Sequence, residues 1–183
     1  MQRWRWWRAR PRLARVQLLV LDVDGVLTDG GLWYGPDGTL QKRFDVRDGL
    51  GIRLLQTAGI TVALLSGGRG GATEVRARHL GIRHCRVGVT DKPAALADLQ
   101  RELQQPPQAT AFLGDDLNDL AVRPQVGLLL ATADAVRPLR RQADLVLSRH
   151  GGHGAVRELA DHLLAPTPLG RQLSRQGWRE RND

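Results

Sequence analysis

Cysteine is nearly absent. Cys85 is the only one in 183 residues, so no intrachain disulfide can form, and that usage accords with a reducing cytosol. No apolar run approaches the length of a membrane span. The N-terminus lacks the apolar core of a secretory signal. The expected location is cytoplasmic, without a membrane partner. Lysine is also scarce: Lys42 and Lys92 stand against 25 Arg. The body shows no internal repeat or low-complexity stretch.

A net charge of +8 raises the question of nucleic acid, but its placement answers it. Residues 1–15 hold six Arg and no acid, and residues 166–183 hold four Arg against Glu180 and Asp183. Residues 16–165 are therefore neutral, with no basic stripe to mark a nucleic-acid binder. The chain divides into a basic extension over 1–15, expected to be disordered, a single domain over 16–164, and a mostly irregular tail over 165–183. The extension interleaves Trp4, Trp6 and Trp7 with Arg. It offers no apolar helical face that would make it an anionic-surface anchor.

Between the ends, short apolar runs alternate with helical stretches. Strands are predicted near 16–22, 60–65, 83–87, 110–114, 126–130 and 144–147. Helices are predicted near 49–57, 69–80, 92–103, 117–122, 134–141 and 154–164. This alternation indicates an α/β fold, a doubly wound and mostly parallel sheet covered on both faces. Residues 31–44 break the pattern: Pro36-Asp37-Gly38 between two short extended runs reads as a β-hairpin inserted after the first strand. No large cap domain fits between the motifs. Trp33, Tyr34 and Leu40 put apolar surface on a ribbon that is marginal alone, which favours burial against another subunit.

Chemistry-bearing residues gather at strand C-terminal ends, where such sheets bind ligands. Asp22-Val23-Asp24-Gly25 follows the first strand, Ser66-Gly67 ends the second, Lys92 follows the third, and Gly114-Asp115-Asp116-Leu117-Asn118-Asp119 follows the fourth. Massed carboxylates raise one another's pKa and call for a cation, and a hard all-oxygen set suits Mg²⁺. Asp22 can act as nucleophile toward a phosphoryl group. Asp24 can act as general acid and then general base. Ser66 and the Gly67 backbone can donate to phosphoryl oxygens, and Lys92 can neutralise charge as a compact cation. Asp22 and Asp115 are the expected metal ligands, with Asp116 and Asp119 behind them. Each motif alone is weak: Asp-x-Asp-Gly is often a turn, and Asp115-Asp116 is often a helix cap. Their conjunction carries the reading.

These residues resemble the haloacid dehalogenase superfamily of phosphatases. Leu27-Thr28-Asp29-Gly30, Phe44-Asp45-Val46-Arg47-Asp48-Gly49, Gly51-Ile52-Arg53 and the run 151–158 are similar, more narrowly, to 3-deoxy-D-manno-octulosonate 8-phosphate phosphatase. The resemblance covers about residues 16–164. It implies release of the free sugar acid and phosphate through an aspartyl-phosphate, within lipopolysaccharide biosynthesis. It implies Mg²⁺ on Asp22, Asp115 and the backbone carbonyl of Asp24. It also implies a homotetramer in which hairpins pack together and the 151–158 run approaches a neighbour's site. Substrate contacts are expected from Asp24, Thr28, Asp45, Val46, Arg47, Asp48, Gly49, Arg53, Gly67, Arg69, Arg76 and Lys92. Guanidinium groups at 47, 53 and 76 would suit the carboxylate of a sugar acid. Two positions depart from the family pattern. Gly68 stands where a substrate-contacting Arg is usual, with Arg69 one residue on, and Asp45 stands where Asn is frequent.

Three other readings use the same residues. A sialic-acid-type 9-phosphate would be the nearest rival substrate. A signalling receiver domain also gathers Asp, Ser/Thr and Lys around Mg²⁺, but it accepts phosphate after the third strand, where this chain has no Asp before Asp91. A non-catalytic assembly module could keep the fold without the chemistry.

Overall fold

The computed structural model describes residues 2–179. Along the chain the helices and strands are α1 (Gln2–Leu13), β1 (Leu18–Leu21), β2 (Trp33–Tyr34), β3 (Leu40–Gln41), α2 (Val46–Thr57), β4 (Thr61–Leu65), α3 (Ala72–His79) and β5 (His84–Arg86). They continue as α4 (Lys92–Glu102), β6 (Thr110–Gly114), α5 (Leu117–Leu120), β7 (Leu128–Ala131), α6 (Arg137–Gln142), β8 (Leu145–Val146), α7 (Ala155–Leu164) and α8 (Pro168–Gln176). Six strands form one parallel sheet in the order β5-β4-β1-β6-β7-β8. β1 sits at the centre, where the chain winds outward in both directions, which is the position from which such sheets present a ligand site.

Alternation along β1 builds two cores. Leu19 and Leu21 join α1, α2 and α7 on one face, through residues such as Ala9, Ile52, Leu55, Val156 and Leu159. Leu18 and Val20 join α4 and α6 on the other, through Leu96, Leu99 and Leu139. Successive strand side chains point to opposite faces, so a strand covered on both sides must be apolar throughout. All four residues of β1 are buried.

The antiparallel pair β2–β3 is the expected hairpin. Trp33 is 67% exposed and Tyr34 is 70% exposed, with Leu32 exposed beside them, while Leu40 is half-buried. Among the described residues this ribbon is the insertion between β1 and α2.

Both ends differ from expectation. Residues 2–13 form a helix rather than a disordered extension. Ala9 and Leu13 are buried in the core, and Trp6 stacks on His162 with ring centroids 3.6 Å apart. Positions 6, 9 and 13 share a helical face, so an apolar stripe is present that the Arg-rich composition conceals. Within the tail, α8 sets Leu169 and Leu173, four residues apart, against the same core.

Candidate active site

The loop after β1 begins as a continuation of the sheet: the Asp22 N–H donates to the Leu113 carbonyl at 3.0 Å. Gly25 then turns the chain at φ +87°. In this left-handed region a side chain is strained. Val26, Leu27 and Thr28 follow as a compact turn on the Val23 carbonyl. Thr28 is fully buried, and its hydroxyl oxygen accepts from the Gly25 and Gly30 N–H groups at 3.3 and 3.2 Å. Thr28 therefore holds the loop together and is not free to contact substrate.

Asp22, Asp115 and Asp119 each bring a carboxylate oxygen within 4.8 Å of the others. Asp119 is spoken for. Its Oδ2 accepts from the Asp115 and Asp116 N–H groups at 2.9 and 3.2 Å, and its Oδ1 accepts from Lys92 Nζ at 2.6 Å. Lys92 also lies 3.0 Å from Asp22 Oδ2. Burial would lower the Lys92 pKa, but the charges of Asp22 and Asp119 outweigh it and hold the ammonium above its ordinary value. Burial, followed by the charge of Asp119, raises Asp22 from 3.8 to about 6. The same causes, joined by Asp22 and Asp116, raise Asp115 to about 8. Asp115 Oδ1 is buried without a hydrogen-bond partner. An orphaned carboxylate oxygen beside a second carboxylate of raised pKa fits a divalent cation on oxygen ligands. Asp22 and Asp115 are the side chains that fit Mg²⁺. Asp116 instead caps α5, accepting from the Leu117 N–H at 2.6 Å.

Ser66 follows β4 directly and is buried, and its Oγ accepts from the Gly68 N–H at 3.1 Å. Bonds from the Gly88 N–H to the Gly68 carbonyl and from the Val89 N–H to the Ser66 carbonyl pin this loop. Its hydroxyl proton remains available to a phosphoryl oxygen. Asp24 points to the hairpin side, where Lys42 Nζ donates to its Oδ2 at 2.8 Å and lies 2.7 Å from Oδ1. Lys42 was not among the expected site residues. The signal lay in composition, since in a chain that uses Arg almost exclusively both lysines end at this site.

The loop from 45 to 49 is organised mainly for structure. Asp45 caps α2 and is bound by the Arg47 backbone N–H, Nε and Nη2 at 2.7, 3.0 and 2.8 Å. The Arg47 side chain, through these hydrogen bonds, holds the Asp45 carboxyl below its ordinary range. This pairing neutralises the carboxylate that would otherwise oppose an acidic substrate, but it also occupies Arg47. Asp48 is buried and turned away: its oxygens accept from the Gly154 and Arg157 N–H groups at 3.2 and 2.9 Å, at the start of α7. Burial raises its pKa to about 6. Arg76 reaches the Asp45 carbonyl at 3.4 Å and lies over the Phe44 ring. At Gly49, where there is no Cβ, the Arg76 guanidinium lies against the backbone. Arg53 is directed elsewhere, donating to the His79 carbonyl at the end of α3 at 2.9 Å. Its position about two turns into α2 carries it away from the edge where the carboxylates lie. Val46, Gly67 and Arg69 are solvent-exposed.

The run 151–158 packs on the loop of its own chain. The Gly152 N–H donates to the Val26 carbonyl at 2.9 Å, and a Cβ at Gly151 would overlap the Gly25 carbonyl.

A nucleophile-capable carboxylate, a second carboxylate two residues on, a buried lysine and an acidic pair after β6 define a phosphate-handling hydrolase. A family model described as haloacid dehalogenase-like hydrolase matches residues 39–127. The chain is 46% identical, over 153 residues, to 3-deoxy-D-manno-octulosonate 8-phosphate phosphatase KdsC of Yersinia pestis, covering 84% of this chain and 82% of that protein. The crystal structure of the Yersinia pestis phosphatase superposes with a TM-score of 0.84 at 44% identity, covering 90% of this chain and 87% of that one. That of the Moraxella catarrhalis phosphatase, in complex with magnesium, phosphate and KDO, does so with 0.89 at 32% identity, covering 93% and 98%. This chain belongs to the 3-deoxy-D-manno-octulosonate 8-phosphate phosphatase family of haloacid dehalogenase-like hydrolases.

Proposed function

We propose that the protein is a Mg²⁺-dependent phosphomonoesterase that hydrolyses 3-deoxy-D-manno-octulosonate 8-phosphate to the free sugar acid and phosphate. The observation that carries this reading is the convergence of Asp22 and Asp115 within reach of one ion, with Lys92 bound to Asp22 at 3.0 Å. An Asp22 oxygen attacks phosphorus as the ester P–O bond breaks. Asp24, as the carboxylic acid, gives its proton to the departing sugar oxygen. Asp24, now a carboxylate, takes a proton from the water that attacks the aspartyl-phosphate, which releases phosphate and restores Asp22. Lys92 and Ser66 hold the phosphoryl oxygens. Mg²⁺ held by Asp22 and Asp115 supplies charge neutralisation between the nucleophile and the phosphate dianion.

The assembly belongs to the same reading. Exposed Leu32, Trp33 and Tyr34 on a two-stranded ribbon support a homotetramer joined through hairpins. A single half-buried cysteine supports a cytoplasmic location. No helix among the described residues is long and apolar enough to cross a membrane.

The test is phosphate release from 3-deoxy-D-manno-octulosonate 8-phosphate beside a nine-carbon sialic-acid-type 9-phosphate, each with Mg²⁺ and with EDTA. The first substrate should be preferred, EDTA should abolish turnover, and Asp22→Asn should lower kcat by at least about 10³-fold. Full activity in Asp22→Asn would exclude the aspartyl-phosphate route. Preference for the nine-carbon ester would reassign the substrate.

A further inference from the structure

The two working carboxylates have one ammonium each. Lys92 reaches Asp22 from the start of α4, and Lys42 reaches Asp24 from the hairpin. Lys42 follows directly on β3, the return strand of the hairpin, and its side chain is only 1% exposed. A four-carbon ammonium is rarely buried unless a partner holds it, and here Asp24 is that partner: its Oδ2 accepts from Lys42 Nζ at 2.8 Å, and its Oδ1, which accepts no hydrogen bond, lies 2.7 Å from the same nitrogen. The space around this pair is filled from the third side by Gly68. A Cβ at that position would lie 2.7 Å from Asp24 Oδ2 and 3.3 Å from both Lys42 Nζ and Ser66 Oγ. The Asp24 carboxylate, the Lys42 ammonium and the Ser66 hydroxyl thus converge on one point beside the phosphate-handling edge.

We infer that Lys42 is a positioning residue for proton transfer. It fixes the Asp24 carboxyl in the orientation from which its proton reaches the departing ester oxygen. The inference rests on Asp24 as the proton donor proposed above. Asp24 lies on a loop, and its side chain is 31% exposed. Without a fixed partner it would sample other rotamers, and misplacing a reacting group by about 1 Å costs on the order of 10²-fold. Lys42 supplies the fixed partner because its own side chain is enclosed. Since Lys42 is carried by the hairpin, the aim of the proton donor depends on how that ribbon is seated. Removing the ammonium leaves Asp24 Oδ1 buried, but the side chain as a whole is 31% exposed and not a fully buried charge, so Lys42→Met is expected to fold.

The experiment measures kcat/KM for wild type, Lys42→Met, Lys42→Arg and Asp24→Asn on substituted phenyl phosphates with leaving phenols of graded acidity. A phenol that departs readily needs no proton, and one that departs poorly does. These esters carry no carboxylate, so recognition of a sugar acid cannot enter. Lys42→Met should lose about tenfold or more on the least acidic phenol and remain near wild type on the most acidic. Its dependence on leaving-group acidity should be steeper. Lys42→Arg, which keeps a cation beside Asp24, should restore the shallower dependence. Equal loss across the series would make Lys42 merely structural and overturn the inference, and an unchanged series would overturn it too. Asp24→Asn separates the two levels. If it fails to steepen the dependence, the proton-donor reading of Asp24 is wrong. If it steepens the dependence while Lys42→Met does not, only the role of Lys42 falls.

Discussion

The carboxylate of Asp115 occupies the space that a side chain at Gly25 would fill, so the two loops that bracket the cation site touch at a position with no Cβ. Gly25 also sits at φ +87°, where a side chain costs about 1–2 kcal/mol. Gly25→Ala should therefore act twice. It should lower stability by about that amount and push Asp115 out of line with Asp22. Mg²⁺ titration followed by activity should show a weaker midpoint and at least about tenfold lower kcat/KM. Unchanged Mg²⁺ dependence would mean that the contact does not set the site.

Asp22 and Asp115 predict an inverted pH profile for the metal-free protein. Their folded pKa values, about 6 and about 8, lie above the ordinary 3.8, chiefly through burial and next through the charge of Asp119. The native state thus keeps protons that the unfolded chain releases. This contribution to stability is complete below about pH 4 and is lost as pH rises through 6 and then 8. In EDTA, Tm should fall from about pH 5 to about pH 8. Asp48, raised to about 6 by burial, adds to the same slope. Mg²⁺ binds the ionised carboxylates, so the Tm gain on adding it should grow with pH. Thermal unfolding across this range, with EDTA or Mg²⁺, gives both slopes. A Mg²⁺ effect independent of pH would contradict the account.

Asp48 joins α2 to α7 through two backbone N–H groups, and its residue is 1% exposed. Asp48→Ala leaves those donors unpaired and should cost about 1–3 kcal/mol in chemical denaturation. Asp48→Asn keeps one acceptor oxygen and sheds a charge that burial opposes, so it should cost less. The reverse order would show that the negative charge itself, rather than hydrogen-bond acceptance, holds the α2–α7 contact.

The first strand of the hairpin carries the test of the assembly. If the proposed homotetramer forms through the hairpins, replacing Trp33 and Tyr34 together with Ser should shift it toward smaller species in size-exclusion chromatography with light scattering. Burial of an aromatic side chain contributes about 1.5–3 kcal/mol, and each interface would lose several. A tetramer unaffected by both changes would place the interface elsewhere.

Much of this molecule can be read along the chain because β1, β4, β6 and β7 are apolar on both faces and each ends at a polar motif. That pattern locates Asp22, Ser66 and Asp115 at one edge without any knowledge of packing. Boundaries were less visible: α2 begins at Val46, three residues before its expected start, because Asp45 caps it. Whether a carboxylate or guanidinium faces substrate or scaffold was not visible. Asp48 and Arg53 sit in a substrate-like motif, yet the helical turn aims them at α7 and at His79. Lys42 is the opposite case, since its partner lies 18 residues away across a hairpin and no local pattern announces the pairing. The helix at 2–13 was hidden because three widely spaced small and apolar residues carry its contact face amid many Arg.

The enclosure of both lysines also bears on handling this protein. With Lys42 only 1% exposed and Lys92 only 3%, neither ε-amine is presented to bulk reagent. Acylating dyes, amine-directed cross-linkers and ester-activated resins will find almost no nitrogen to modify on the native body. Slow acylation at either position would then report the opening of the catalytic edge itself.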